Sequence, residues 1–503
     1  MGTGMGMDTG TTGGISLSPL VFERRAFGRL SAILVVAVAL CCFGETASAR
    51  WTLDRGVTLR ATYTDNVNFA GDSDVVFDIT PRFALRRDEA VSRGRVDLDV
   101  RYGLSALPGQ SLVFSNFRHN GQADLSVELV KRRFFFEGRA TAAQQTINNR
   151  GGTSDEIFNF SGNFTQSYTY QFGPVYRHHF GPYADGVARF AVNGVINEDV
   201  ANTDSTGDLF EVALSSGRKF ARTPWRISHL RESIDNEGSG QDVEFSRSDA
   251  QLSYIIDRRF SVTGSVGWDE DDFQGAESDD DGFRWQVSTT YRPSTRTSFT
   301  LGYGDQFAGP SIFFDLTYRG RRTILTSGVR ERRTTVRDLQ IQQVVIPINN
   351  SFGNPIIDPF SGQPFGIAVD LASVRDDVVN LREYEARAAH EFRGLNTDVR
   401  IFRTERDFEI LNDDEIVTGV NGSIGRSLNS RASVSLFGGW QETEFEVDNR
   451  TDERWNIGLS YRHQVSAKVA AVADVQHIER DSTDASARTG AENRASLRLN
   501  VNF

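Results

Sequence analysis

The chain has 503 residues, a net charge of -12, 39% hydrophobic residues and a mean hydropathy of -0.38. It holds no apolar run of about 20 residues, which excludes a polytopic helical membrane protein. Its acidic balance argues against a nucleic-acid binder, whose surface would be basic, and its 36 phenylalanines against 12 prolines exclude a disordered chain, which would lack aromatics.

Residues 1–49 have the parts of an export signal in order. Arg24, Arg25 and Arg29 form the positive start, Leu30 to Phe43 the apolar stretch, and Ala47-Ser48-Ala49 a small-x-small cleavage site, so the mature chain is expected to begin at Arg50. Arg24-Arg25-Ala26-Phe27 is also similar to a twin-arginine signal, but that route carries folded cargo and this passenger must travel unfolded. Cys41 and Cys42 both fall in the leader, so the mature chain needs neither disulfides nor thiolate metal sites.

From Arg50 onward the apolar period is 2. Val57, Leu59, Ala61 and Tyr63 alternate with Thr58, Arg60, Thr62 and Thr64. Val96, Leu98, Val100 and Tyr102 alternate with Asp97, Asp99 and Arg101, and Leu125, Val127 and Leu129 with Asp124, Ser126 and Glu128. The pattern continues through Phe299-Leu301-Tyr303 and Ile457-Leu459-Tyr461. Successive side chains of a pleated strand point to opposite faces, so each segment has one apolar and one polar face. The segments run about 10 to 16 residues, against about 5 or 6 for a globular strand, and about 9 to 11 cross a bilayer. A sheet facing lipid must close on itself, because an open edge leaves backbone groups unpaired in hydrocarbon.

The connections alternate in kind. Short, often basic ones are expected at Arg86 to Ser92, Val130 to Arg133, Asp257 to Arg259, Arg292 to Arg296, Arg319 to Arg322, Phe392 to Leu395 and His463 to Ser466. Longer, mostly acidic ones are expected at Gly71 to Asp74, Asn197 to Asp208, Asp235 to Asp242, Asp269 to Asp281 and Glu479 to Asp484. Short periplasmic turns against long extracellular loops is the outer-membrane barrel pattern, and the count gives about 22 strands, within about 18 to 24. The expected fold is therefore all-β: residues 50–503 as one transmembrane antiparallel β-barrel in the outer membrane of a Gram-negative bacterium, reached through the periplasm.

The connection from Asp338 to Asp377 is far longer than ordinary loops, and such loops are often functional. An external flap is the commoner form. An inward-folded constriction or gate is the alternative, because a barrel of about 22 strands has a wide lumen that is usually occupied. Asp269 to Asp281 holds eight acidic residues and reads as a solvated loop; Asp279, Asp280 and Asp281 are its weak candidates for a cation, and no metal or cofactor is otherwise expected.

The polar faces carry charge of both signs. Arg60, Asp97, Asp99, Arg101, Glu128, Arg462 and Arg498 are the expected pore-lining residues, either facing a wet lumen or filling it as cross-strand ion pairs. Catalysis finds little support: Asn421-Gly422-Ser423-Ile424-Gly425 lacks the first glycine of a nucleophile elbow, and the seven histidines show no metal spacing, His178 and His179 reading as surface.

The C-terminal residues Leu497, Leu499, Val501 and Phe503 share one face. They resemble the final strand of bacterial outer-membrane proteins, which the barrel assembly machinery reads; Ala495 stands where an aromatic is common. Near the other end, Tyr63-Thr64-Asp65-Asn66 and the later Thr80-Pro81 resemble the outer-membrane β-barrel proteins associated with exosortase and PEP-CTERM systems, grouped with porins of exopolysaccharide loci. The motif covers about the first tenth of the mature chain, and Arg82 stands where members often have glycine. The resemblance implies a place beside polysaccharide export or surface-protein sorting and assigns no catalytic residue. Read physically, Asp65 and Asn66 suit the closing of a loop, since their side chains hydrogen-bond nearby backbone. The sequence thus points to a non-enzymatic, porin-like conduit for exopolysaccharide or another polar polymer. Its expected partners are membrane lipid, the assembly machinery and export proteins. A docking barrel that binds a surface partner through acidic loops is the alternative, and a barrel hydrolase stands behind both.

Overall fold

In the computed structural model the described residues are 51–66, 73–91, 94–106, 117–150, 163–198, 200, 203–237, 242–273, 282–306, 309–341, 346–347, 366–367, 374–410 and 413–503; the side chains at 51, 74, 82, 86–106, 117–119, 346–347 and 366–367 are not described. The leader and Asp279, Asp280 and Asp281 lie outside them. So do the side chains of Asp97, Asp99 and Arg101.

The strands are β1 (Trp51–Thr64), β2 (Asp74–Val91), β3 (Gly94–Ala106), β4 (Phe117–Val130), β5 (Phe134–Thr146), β6 (Phe164–His179), β7 (Ala184–Asn197), β8 (Ser205–Ser216), β9 (Trp225–Asn236), β10 (Val243–Ile255), β11 (Phe260–Asp272) and β12 (Gly282–Ser294). There follow β13 (Thr297–Gln306), β14 (Gly309–Arg319), β15 (Thr323–Thr335), the helix α1 (Val336–Ile341) and the two-residue strands β16 (Ile346–Pro347) and β17 (Gly366–Ile367). The chain ends with β18 (Val378–Phe392), β19 (Leu395–Phe408), β20 (Glu415–Ser427), β21 (Ala432–Phe445), β22 (Arg450–Ser466), β23 (Val469–Ser482) and β24 (Gly490–Asn502).

All but β16 and β17 belong to one antiparallel sheet of 22 strands, each paired with its sequence neighbours. β24 also pairs with β1, from Gly56↔Asn502 to Thr64↔Arg494, so the ring of pairings closes. Side-chain bonds reinforce this seam: Thr58 donates to Asn500 at 2.8 Å and Thr64 to Glu492 at 2.7 Å. At its end, Asn493 donates from backbone and side chain to the two Asp65 carboxylate oxygens at 2.7 Å each, and Asn66 donates to the Ala491 carbonyl at 2.7 Å. Asp65 and Asn66 thus clip the first strand to the last.

Register puts like faces together. Leu59 lies beside Ile79 and Leu499, Arg60 beside Asp78 and Arg498. Leu59, Ile79, Tyr63, Phe77 and Leu497 are exposed, whereas Thr62, Thr64, Asp78 and Asn500 are buried. This inverts the order of a soluble sheet: the apolar face is outside and the polar face is covered. Glycines help hold the register. The Phe437 ring covers the space over Gly458, its cross-strand partner, and Phe402 does the same over Gly419; an aromatic ring laid on a glycine fills the gap left by the missing side chain.

Short and long connections segregate to opposite ends, as alternation predicts. The turn between β18 and β19 has positive φ at both Arg393 (49°) and Gly394 (78°), the backbone that a two-residue hairpin needs to match strand twist. Several boundaries differ from the expected ones. β2 runs to Val91 and β22 to Ser466, so Arg86 to Val91 and His463 to Ser466 are ladder residues. β8 begins at Ser205, β23 runs to Ser482, and β11 runs to Asp272, well into the acidic stretch. Polar composition marks these segments as loops, but near the barrel ends both faces of a strand can be polar.

Asp65 lies just beyond β1. Burial is the largest single influence and opposes its charge, but the side-chain and backbone hydrogen bonds from Asn493 together prevail and hold its carboxyl below the ordinary 3.8. A lowered carboxylate pKa contributes stability above the unfolded value, lost as pH falls through the folded one. Asp65→Ala is therefore expected to lower the temperature at which the folded gel band converts to the unfolded one at neutral pH, by a seam contribution of about 1 kcal/mol. The difference from wild type should shrink once the pH is below 3.8. Equal conversion temperatures at neutral pH would show that the clip contributes nothing.

Candidate functional site in the lumen

The inner face is built from the polar positions of alternating strands. Arg60, Arg498 and Arg462 fall in one row across the seam: Arg60 is the neighbour of Arg498, which lies opposite Val472, which lies opposite Arg462. Arg498 is paired with Asp474 at 3.4 Å. Asp97, Asp99 and Arg101 share one strand face by register, with Asp99 opposite Asp124 and Arg101 opposite Gln122. Glu128 sits at the short-turn end, where its carboxylate accepts the backbone N–H of Arg132 and closes the turn. Cross-strand ion pairs run over much of the wall: Arg139–Asp124 at 2.8 Å, Arg387–Asp398 at 2.9 Å, Arg177–Glu137 at 2.8 Å and Arg400–Glu385 at 3.3 Å.

One sector departs from this. Toward the short-turn end of β10 to β13 the inward positions carry mostly hydroxyls and amides: Gln251, Ser253, Thr263, Ser265, Gln286 and Thr290 line a cavity of about 520 Å³ together with Arg292 and with Phe313 of β14. Ser253 and Thr263 are 2.8 Å apart and Thr290 and Thr300 are 3.0 Å apart, so the hydroxyls form cross-strand pairs. Neutral donors and acceptors beside an aromatic ring and a single guanidinium suit a polar solute.

The long-loop end of the lumen is crossed by protein. The last pair joining β14 to β15 is Phe314↔Val329, and beyond it β15 continues on β18 alone, from Arg330 to Thr335. There Arg333 reaches Asp271 of β11 at 3.0 Å, with side chains 2% and 0% exposed. It also donates to Asn380 at 2.9 Å and lies over the Phe273 ring. α1 then crosses the lumen. It contacts β6 and β7 as well as β15, although seven strands, β8 to β14, separate β7 from β15 in the ring. Arg337 donates to Asn193 of β7 and pairs with Asp338 at 3.3 Å. Val336 through Gln340 are all buried.

The returning chain is held as firmly. Val378 packs with Ile234, Val243, Phe245 and Phe273 on the β9–β11 wall, and its neighbour Val379 packs with Val336, Leu339, Leu381 and Phe408. Both valines are 0% exposed because both faces of this strand end are covered. Ahead of them, the Val374 N–H bonds the Ile147 carbonyl at 3.1 Å, and Arg375 lies over the Phe408 ring and pairs with Asp413 at 3.2 Å. The turn after β5 joins this crossing: Arg150 pairs with Asp413 at 2.6 Å and its carbonyl accepts from Arg450 at 2.8 Å.

This corrects two expectations. The described ends of the Asp338 to Asp377 connection fold inward, so they are not part of an external flap. Asp269 and Asp271 are buried lumen residues and not members of a solvated loop. Asp271 pairs with Arg333, and Asp269 with Arg284, which also reaches Asp249 at 3.0 Å. Removing carboxylates from water is costly unless cations answer them; the cation stands 15 residues away for Asp269 and 62 for Asp271. Among the described residues no cluster could hold a metal ion. Asn421 to Gly425 lie within the regular strand β20, with no elbow at Ser423, and His178 and His179 stand near the short-turn end, His179 bonded to Asp185 at 2.5 Å. Leu497 and Leu499 project from the outer face of β24, and Phe503 is exposed with its N–H on the Arg55 carbonyl at 2.9 Å.

No protein-family model matches the chain, and no curated protein is similar to it in sequence. Solved structures do match. A mutant of the ferric enterobactin receptor of Pseudomonas aeruginosa has a TM-score of 0.52 at 9% identity, over 91% of this chain and 81% of that one. The FrpB iron transporter from Neisseria meningitidis (F3-3 variant) has a TM-score of 0.50 at 8% identity, over 90% of this chain and 81% of its own. The outer membrane channel DcaP of Acinetobacter baumannii is matched at a TM-score of 0.33 and 10% identity, over 92% of this chain and 99% of that one. The first two likenesses establish the fold, a large antiparallel β-barrel.

Arg333→Ala removes the guanidinium that Asp271 meets at 3.0 Å, and breaking a buried pair costs about 3–5 kcal/mol. We expect chymotrypsin to cut faster within residues 336–377 while the heat-modifiable barrel band persists. An unchanged cleavage rate would show that the pair does not anchor the crossing.

Proposed function

We propose that this chain is an outer-membrane β-barrel acting as a porin-like conduit for export of a polar polymer, exopolysaccharide or a related chain, in an exosortase/PEP-CTERM-type system. The observation that carries the reading is the inverted sheet: a closed ring of strands with its apolar side chains exposed and its polar side chains covered. Such a wall suits hydrocarbon outside and water inside. The long loops then face the cell exterior and the short turns the periplasm. Paired charges leave the lumen polar without a strong field of one sign, and the hydroxyl-lined sector can exchange hydrogen bonds with the hydroxyls of a sugar chain. Selectivity comes from pore width and lining groups, and the crossing built from β15, α1 and β18 is the gate. No covalent step is needed, so the reading is non-enzymatic. The terminal residues Leu497, Leu499, Val501 and Phe503 are the proposed signal to the assembly machinery.

One observation favours a second reading, a docking barrel without transport. The crossing is packed and ion-paired on two walls, as a permanent plug would be. Single-channel recording separates the two. The wild-type protein is expected to conduct weakly, and deletion of residues 340–375 to raise the conductance severalfold. A deletion protein that inserts in planar bilayers and stays silent would sink the conduit and favour docking.

A further inference from the structure

The short-turn rim has a chemistry that the conduit does not use. From the turn after β8 to the turn after β18, segments 217–224, 257–259, 292–296, 319–322 and 391–394 hold eleven basic residues against two acidic ones. Asp257 of this set is turned to its own backbone, accepting the N–H groups of Arg259 and Phe260 at 2.6 and 2.8 Å. The cations are exposed, and several lie over exposed rings: Lys219 over Tyr183 at 4.5 Å, Arg222 over Tyr254 at 5.5 Å, and Arg322 and Arg393 over Phe392 at 4.9 and 5.1 Å. Among the described residues none of these four cations forms a salt bridge with a carboxylate.

We infer that this arc of the rim is a binding belt for the headgroups of anionic phospholipids in the leaflet at the short-turn end. The inference rests on the reading that the apolar face meets a bilayer. Aromatic rings at a membrane interface sit at headgroup level, and a cation held over such a ring is fixed at that depth. Guanidinium groups there match phosphate geometry with paired donors. A zwitterionic headgroup carries its own cation and gains less from them. Lipid phosphate therefore fits the arc better than solvent alone, and each Lys or Arg near an anionic surface contributes about a fivefold factor in partition.

The test uses the full-length chain, expressed with its own leader, purified in detergent and reconstituted in two kinds of vesicle. One is phosphatidylcholine alone; the other adds a minority of phosphatidylglycerol. Co-purifying lipid is identified by native mass spectrometry, and insertion is followed by heat-modifiable gel mobility. Wild type is expected to retain phosphatidylglycerol over phosphatidylcholine at low salt and to lose that preference at high salt. The combined variant Lys219→Gln, Arg222→Gln, Arg322→Gln, Arg393→Gln should insert equally well into phosphatidylcholine and lose the preference. Equal retention of phosphatidylglycerol by variant and wild type would overturn the belt while leaving the membrane reading intact. Failure of both proteins to insert even into phosphatidylcholine would overturn that reading and the belt with it.

Discussion

Everything in this protein follows from the pairing of its last strand with its first. A sheet with an apolar outer face cannot leave backbone donors and acceptors open at an edge, because hydrocarbon offers them no partner. The ladder from Gly56↔Asn502 to Thr64↔Arg494 removes that edge. Closure also fixes which side chains share a surface, since a slip of one residue would exchange the faces of a whole strand. Thr58–Asn500, Thr64–Glu492 and the Asp65–Asn493 clip act at this point, each joining residues more than 400 positions apart.

Closure creates an interior that the chain must then manage. Carboxylates on β10 and β11 face inward by parity and meet arginines from β12 and β15. The end of β15, α1 and the start of β18 form a small core of their own inside the lumen, with apolar residues toward two walls and ions at its margin. Pairing and packing support each other here: the valines exclude water from the Arg333–Asp271 pair, and the pair fixes the strand end that carries Thr335 into α1. Nearer the short turns β10 to β13 are lined mostly by neutral hydroxyls and amides, with Arg292 among them, so the lumen has a charged, tied zone toward the long loops and a mostly neutral one toward the short turns.

Much of this was legible in the sequence, and the limits have physical causes. The strand period marked nearly every wall segment, the turn composition marked the short end, and about 22 strands were expected where 22 form. Boundaries such as Ser466 and Asp272 were misplaced because turn-like residues continue the ladder at the rim. The adjacent pair Val378-Val379 was the local sign of the crossing: two neighbouring apolar residues at a strand start require both faces to be covered. Asp271 gave no such sign, because its cation stands 62 residues away at Arg333.

By itself the sequence determined the local conformation and the two-faced character of each strand, because alternation acts between neighbouring residues and needs no distant partner. It also determined that residues 50–503, which contain no cysteine, must hold together through backbone ladders and ion pairs. Only the tertiary structure decided which charges are paired, that the long connection enters the lumen at both described ends, and that Asp65 and Asn66 lock the seam. Those outcomes depend on which strands curvature brings face to face, and that is a property of the closed ring.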